Sequence, residues 1–228
     1  MNSTTIFTII LLILCILFVS IFLRQEEKEK FVGAVIFKGL ASLCFVILGI
    51  INSKGSSMAN TIVLGLIFGF IADILLNLRH VYKEKGKIIF LIGILIFLIG
   101  HIIYLIAIVP LTNNLTLCLI IAIVITALLM MWIFTKITAE KAFKIFGIVY
   151  IGAIVLLNVV AIYNMLTSTF NPTFTKIFAL GAMFFLISDV VLILNTFGSE
   201  SKQSLRICNI SLYYIGQILI AMSLLYLF

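Results

Sequence analysis

Two carboxylates stand inside long apolar runs. Asp73 lies in GLIFGFIADILLNL (65–78) and Asp189 in GAMFFLISDVVLIL (181–194). A charge in hydrocarbon is costly, and Asp is too short to reach the interface as Lys does. Each carboxylate must therefore face the protein interior, a partner or a water-filled cavity. Other polar groups fall in the same kind of surroundings: Lys38, Asn77 one turn from Asp73, His101 with Tyr104 three residues on, Tyr150 and Asn158, and Tyr213 and Tyr214 with Gln217. Two carboxylates at one depth can hold different protonation states, because burial and a neighbouring anion raise one while a cation keeps the other ionised. Lys38 is such a cation. A neutral acid beside a charged base is an acid/base pair, able to donate a proton and to stabilise an oxocarbenium ion or activate water.

The same residues allow other readings. A proton or ion path would use the same Asp pair. The Asp spans carry Gly65, Gly69 and Gly181 but no proline, so little suggests an unwound transport site. A zinc hydrolase needs about three protein ligands. One in-span His, deeper than the Asp pair, makes a poor set, and no metal is expected. Lys38 either snorkels to the interface or pairs with a carboxylate. His101 is either a hydrogen-bonded core residue or a site group. The tyrosines are interface anchors or site groups, Asn77 bonds a neighbouring helix or serves the site, and Gln217 in mid-span suggests an interhelical hydrogen bond.

The elements that position these groups follow from composition. Of 228 residues, 64% are hydrophobic and 10% charged, with a mean hydropathy of +1.36. A water-soluble domain is about half apolar and a quarter charged, so that class is excluded. A crossing takes roughly 20 helical residues, so about eight crossings fit the chain and leave short connectors. Eight apolar runs are present, at about 4–23, 31–51, 59–78, 88–109, 114–134, 143–163, 175–195 and 206–227. The expected fold is all-α, a single polytopic transmembrane domain over 1–228. Both prolines, Pro110 and Pro172, fall in connectors. The first run has no Lys or Arg before Arg24 and no small-residue cleavage site after it, so it is expected to remain as a helix. Cys15, Cys44, Cys118 and Cys208 lie in or beside apolar runs without CxxC spacing and read as small apolar fillers.

The net charge of +7 comes from bases in short connectors. It points to orientation and anionic lipid, not to nucleic acid. Arg24, Lys28, Lys30, Arg79, Lys83, Lys85, Lys87, Lys136, Lys141, Lys144, Lys202 and Arg206 crowd the odd connectors, whereas the even ones hold only Lys54 and Lys176. Positive charge stays inside, which makes the odd connectors cytoplasmic and both termini external. Richness in Ile, Phe and Lys suggests a bacterial source and hence a cell (inner) membrane. Asp73 and Asp189 each lie about six residues, or about 9 Å, from the cytoplasmic end of their span. Lys38 lies about seven residues in from the same side, so the polar set suggests a hydrated pocket opening toward the cytoplasmic leaflet.

The chain also repeats weakly. Aligned on Asp73 and Asp189, 116 residues apart, both segments read G-x-x-F-x-x-I-[A/S]-D-x-x-L-x-L, and Gly100-His101 then falls on Gly216-Gln217. Two parallel four-helix repeats, about 1–113 and 114–228, would account for this. Chance matching in an apolar sequence would also do so.

These segments resemble the YhhN/lysoplasmalogenase membrane family. GLIFGFIADILLNL is similar to its first signature, G-L-x-F-S-x-x-G-D-x-x-L. IFLIGHIIYLIAI resembles its G/A-H-x-x-Y helix and places His101 and Tyr104. GAMFFLISDVVLILNTF resembles the second signature, with Ser188-Asp189 and Asn195-x-Phe197, and SLYYIGQILIA its closing Y-Y-x-x-Q-x-L-I segment. Lys38-Gly39 stands where the family has Lys-Pro. Ala72 replaces a glycine and Gly69 a serine. The resemblance runs from about residue 38 to 221. It implies hydrolysis of the vinyl-ether bond of lysoplasmalogens to a fatty aldehyde and a glycerophospho-choline or -ethanolamine, with no cofactor. Asp73 and Asp189 would be catalytic. Lys38, Asn77, His101, Tyr104, Tyr150, Tyr213, Tyr214 and Gln217 would bind or position a lysophospholipid drawn from the bilayer. The alternatives are a proton-coupled lipid or solute carrier using the same Asp pair, and a structural or sensor protein without turnover.

Overall fold

The computed structural model describes residues 3–138 and 140–227, with the side chains of Ser3, Thr4 and Ala142 outside the description. The described residues form eight long α-helices: α1 (Ser3–Glu27), α2 (Phe31–Asn52), α3 (Ser57–Val81), α4 (Gly86–Ile108), α5 (Leu115–Phe134), α6 (Lys141–Thr167), α7 (Pro172–Phe197) and α8 (Gln203–Ser223). Among them no strand occurs, and the one β-bridge joins Ile137 to Gly198. All eight helices are long and apolar enough to cross a membrane. The all-α polytopic expectation therefore holds.

Several helices outrun their apolar segments. The α1 helix continues through Arg24 and Gln25 to Glu27, and α3 through Arg79 and His80 to Val81. The apolar run marks only the part that needs hydrocarbon; the helix itself has no reason to stop where water begins. The termini are set by local chemistry. The Oγ of Ser56 accepts from the Ala59 N–H, and Oδ1 of Asn114 from the Leu117 N–H. Asn171 caps α7 in the same way, accepting from the N–H groups of Thr173 and Phe174. These bonds satisfy donors that a helix start leaves open. Pro172 is not a connector residue as expected from the sequence. It opens α7, because the first helical position needs no N–H and suits the fixed φ of proline.

Backbone packing divides the chain into two compact units, Met1–Ile103 and Tyr104–Phe228. In the first, α2 packs against both α1 and α3. Its fully buried side chains include Phe22, Ala41, Phe45, Ile62, Leu66 and Ala72. The α4 helix approaches α3 through glycine: a Cβ on Gly100 would lie 3.4 Å from the Gly65 carbonyl oxygen. In the second unit α7 packs on both α6 and α8, and α5 on α6. Gly181 and Gly216 bring α7 and α8 together more closely. A Cβ on either would lie 2.8 Å from the other's carbonyl oxygen. Small residues permit such backbone approach where lipid supplies no hydrophobic drive to helix association. The turn after α4 is also tied within this unit. Asn164 donates to the Ile108 carbonyl at 2.9 Å and accepts from the Thr112 hydroxyl at 2.8 Å.

The contrast between the glycine contacts is testable. Gly216→Ala and Gly181→Ala must push α7 and α8 apart and should cost about 1–3 kcal/mol, the usual penalty of overpacking. Gly100→Ala meets its neighbours at a distance a small shift relieves and should cost less. Thermal unfolding of the three variants in one detergent gives the order.

Candidate active site

In the first unit the polar groups converge on Asp73. Lys38 and Ser42 are four residues apart on α2, hence on one face. Lys38 Nζ lies 3.0 Å from Asp73 Oδ1, with both side chains almost wholly buried. The Ser42 hydroxyl donates to Asp73 Oδ2 at 2.6 Å. The Lys38 ammonium also faces the Phe22 ring, 5.6 Å from its centroid. Lys38 thus does not snorkel to the interface; it is only 3% exposed. Burying both charges is tolerable because each meets the other and a hydrogen bond completes the carboxylate. Local packing allows the approach: Gly39, beside Lys38, is buried, and a Cβ there would lie 3.5 Å from Ile74 on α3. Asn77 donates to the backbone carbonyl of Asp73 at 3.1 Å, so it bonds within its own helix. His101 is buried on α4.

In the second unit Asp189 meets Tyr150. The phenol on α6 donates to Asp189 Oδ2 at 2.5 Å, and both residues are buried. The residue before the carboxylate is also anchored. Ser188 Oγ donates to the Asn209 carbonyl at 3.1 Å, and Asn209 Nδ2 returns bonds of 2.9 Å to the Ser188 carbonyl and to its Oγ. Arg206 donates to Asn209 Oδ1 at 3.3 Å. This exchange fixes the rotation of α7 about its axis at Asp189.

A second polar string in the same unit joins Tyr104 to α8. Its phenol donates to Gln217 Oε1 at 2.9 Å, and Gln217 Nε2 donates to the Tyr213 hydroxyl at 3.3 Å. Gln217 therefore makes the interhelical bond expected of a mid-span amide. Tyr213 and Tyr214 pack edge-on at 5.1 Å, and Tyr213 packs the same way on Phe185. Tyr104, Tyr150, Tyr213 and Tyr214 are all buried. They are interior groups, not interface anchors.

The sequence-derived set is thus gathered into local groups: Lys38, Asp73 and Asn77; Tyr150 and Asp189; Tyr104, Tyr213, Tyr214 and Gln217. Ser42 and Asn209 were missed, and Ser188 was noted only as part of a motif. Spacing held the signal: Ser42 is one turn from Lys38, and Asn209, Tyr213 and Gln217 form a stripe at steps of four. No group of three or more His, Cys, Asp and Glu side chains is placed to hold a metal among the described residues.

Buried carboxylates on helices long and apolar enough to cross a membrane, each with a short hydrogen bond from a hydroxyl, mark a polytopic membrane protein that keeps polar groups in its interior. Residues 33–224, most of the chain, match the YhhN family. The chain belongs to that family, and membership is consistent with a hydrolase. No curated protein and no solved structure matches it significantly.

The ion pair makes a stability prediction. Lys38→Met leaves Asp73 buried without its ammonium, and breaking one side of a buried pair costs about 3–5 kcal/mol in general. Lys38→Met with Asp73→Asn removes both charges and should regain part of that loss. Tyr104→Phe removes one neutral interhelical bond and should cost about 0.6 kcal/mol, as such bonds average in membranes. Unfolding in mixed micelles gives all three values.

Proposed function

We propose that the protein hydrolyses the vinyl-ether bond of lysoplasmalogens, releasing a fatty aldehyde and a glycerophospho-headgroup. The observation that carries this reading is the pair of buried carboxylates, Asp73 beside Lys38 and Ser42 and Asp189 beside Tyr150, in a chain of the YhhN family. A vinyl ether reacts by taking a proton on the alkene carbon remote from oxygen. The resulting oxocarbenium ion accepts water at the carbon next to oxygen and loses a proton. The hemiacetal so formed collapses to aldehyde and alcohol, with one water consumed. The reaction needs an acid for carbon, an anion to stabilise the cation or orient water, and no serine or cysteine nucleophile. Two carboxylates supply those two roles.

The substrate's own anatomy suits groups at this depth. In a single-chain lipid lying in one leaflet, the vinyl ether sits just beneath the headgroup. Asp73 and Asp189, each about six residues from the cytoplasmic end of its apolar run, would lie about 9 Å in. The apolar interior accepts the chain, and basic connectors meet the phosphate. The odd connectors are taken as cytoplasmic, so the lipid would come from that leaflet.

The test is aldehyde release from lysoplasmenylethanolamine and lysoplasmenylcholine by the purified protein in detergent. Asp73→Asn and Asp189→Asn should each lower the rate by at least about a hundredfold, the usual value of a positioned acid or base. Absence of aldehyde from both lipids with folded protein would sink the reading, and proton-dependent flux in proteoliposomes would then favour a carrier. Orientation is checked separately. In a variant lacking the native cysteines, Asn113→Cys should react with an impermeant thiol reagent from outside intact cells, and Glu29→Cys should not.

A further inference from the structure

We propose that the groove between α5 and α6 is a binding site for an anionic phospholipid, with one hydrocarbon chain in the groove and the phosphate on Lys141 and Lys144. The site goes beyond the vinyl-ether reading and does not rest on it. Both walls belong to the second unit. The groove offers about 490 Å3, and apart from Thr126 its lining residues are apolar. An apolar cavity of about 150 Å3 takes benzene, so this groove has room for roughly one lipid chain. Small residues open it: Ala122 and Thr126 on α5 and Gly152 on α6. A Cβ on Gly152 would lie 3.7 Å from the Thr126 methyl group. Ile123 and Val149 are exposed along its rims. From Leu119 to Met130 the α5 wall rises about 17 Å, close to half of a hydrocarbon core of about 30 Å. That is the depth of one leaflet.

The end of the groove selects an anionic lipid over bulk hydrocarbon. Both walls continue into a cationic mouth. On α5, Phe134 lies one turn after Met130. On α6, Lys144 lies one turn before Ile148, and Lys141 about one turn before that. The Lys144 ammonium faces the Phe134 ring, 5.7 Å from its centroid, so its charge is held between the two helices at that end. Lys141 is exposed. The N-terminus of α6 adds its own partial positive charge. With Lys136 in the connector, three lysines outweigh Glu140 there. At the opposite end, residues 111–118 and 156–168 carry no charge. An amphiphile with a negative head therefore has one orientation in the groove. Tyr150, which bonds Asp189, is two residues from Gly152 and so on the opposite side of α6. The groove is thus separate from that carboxylate.

The chain has one tryptophan, Trp132, so quenching by brominated lipids can be read at a chosen place. The full-length variant Trp132→Phe/Phe134→Trp is placed in phosphatidylcholine vesicles containing dibrominated phosphatidylglycerol or dibrominated phosphatidylcholine. At position 134 phosphatidylglycerol should bind about tenfold or more tightly, since each lysine near anionic lipid is worth about fivefold. Adding Lys141→Gln and Lys144→Gln should bring the ratio close to one. Gly152→Leu fills the groove and should weaken quenching at position 134 by both lipids. If that variant fails to fold, the exposed lysine substitutions still decide the matter. Equal quenching by the two lipids would overturn the proposal, leaving ordinary bilayer contact only. So would a preference that survives the double lysine variant. Protection of position 134 from both lipids would also overturn it and point to a second copy of the chain over the groove. Displacement of the brominated phosphatidylglycerol by lysophosphatidylcholine as readily as by phosphatidylglycerol would sink it too, because the groove would then select the chain and not the charge.

Discussion

The contact between Lys38 and Asp73 constrains much of what surrounds it. Two opposite charges buried among apolar helices are tolerated only while they stay together and other hydrogen bonds complete them. That requirement sets the rotation of α2, which must turn Lys38 and Ser42 toward α3. It also sets the separation of the two helices, since an ammonium and a carboxylate at 3.0 Å allow little drift. Phe22 on α1 closes another side with a ring face, which is apolar in bulk yet attractive to a cation. Three helices are thus held in register by one ion pair and its neighbours.

The second unit solves a similar problem with different chemistry. Its carboxylate meets a phenol. Tyr150 lies 39 residues before Asp189, whereas Lys38 and Ser42 lie 35 and 31 before Asp73. At the 116-residue offset Tyr150 falls one turn before the position of Lys38. The glycine contacts, by contrast, fall at matching positions: Gly65 with Gly100, and Gly181 with Gly216. A shared helix-packing device therefore carries two carboxylates with different partners.

The helices were legible in the sequence because bilayer thickness imposes a length on each apolar run, and that signal survives any choice among Ile, Leu and Phe. The two Asp residues were legible for the converse reason: a carboxylate in such a run is too costly to be accidental. Partners were harder to read. A serine is unremarkable in a membrane helix, and nothing in Ser42 alone says whether it returns its bond to its own backbone, as Ser20 does to Ile16, or spends it on a neighbour. Lys38 has the same ambiguity, since its stem is long enough to reach water. Choosing between these outcomes needs the rotation of one helix against another, which sequence spacing within a single helix does not contain.

Asn209 shows the limit from another direction. It lies near the start of α8, close to Arg206, and from sequence it passes for interfacial polarity. In the fold it exchanges bonds with Ser188 through both side chain and backbone. This bond set acts on Asp189 through the helix and not by touching it. Since Ser188 immediately precedes Asp189, fixing one rotates the other toward Tyr150. A carboxylate that must be aimed at a single phenol needs its helix locked about its axis, and apolar side chains in a lipid-facing bundle lock rotation poorly, having similar contacts at many angles. Directional hydrogen bonds do so well. That is a physical reason for polar residues to gather next to a buried carboxylate even where they do no chemistry.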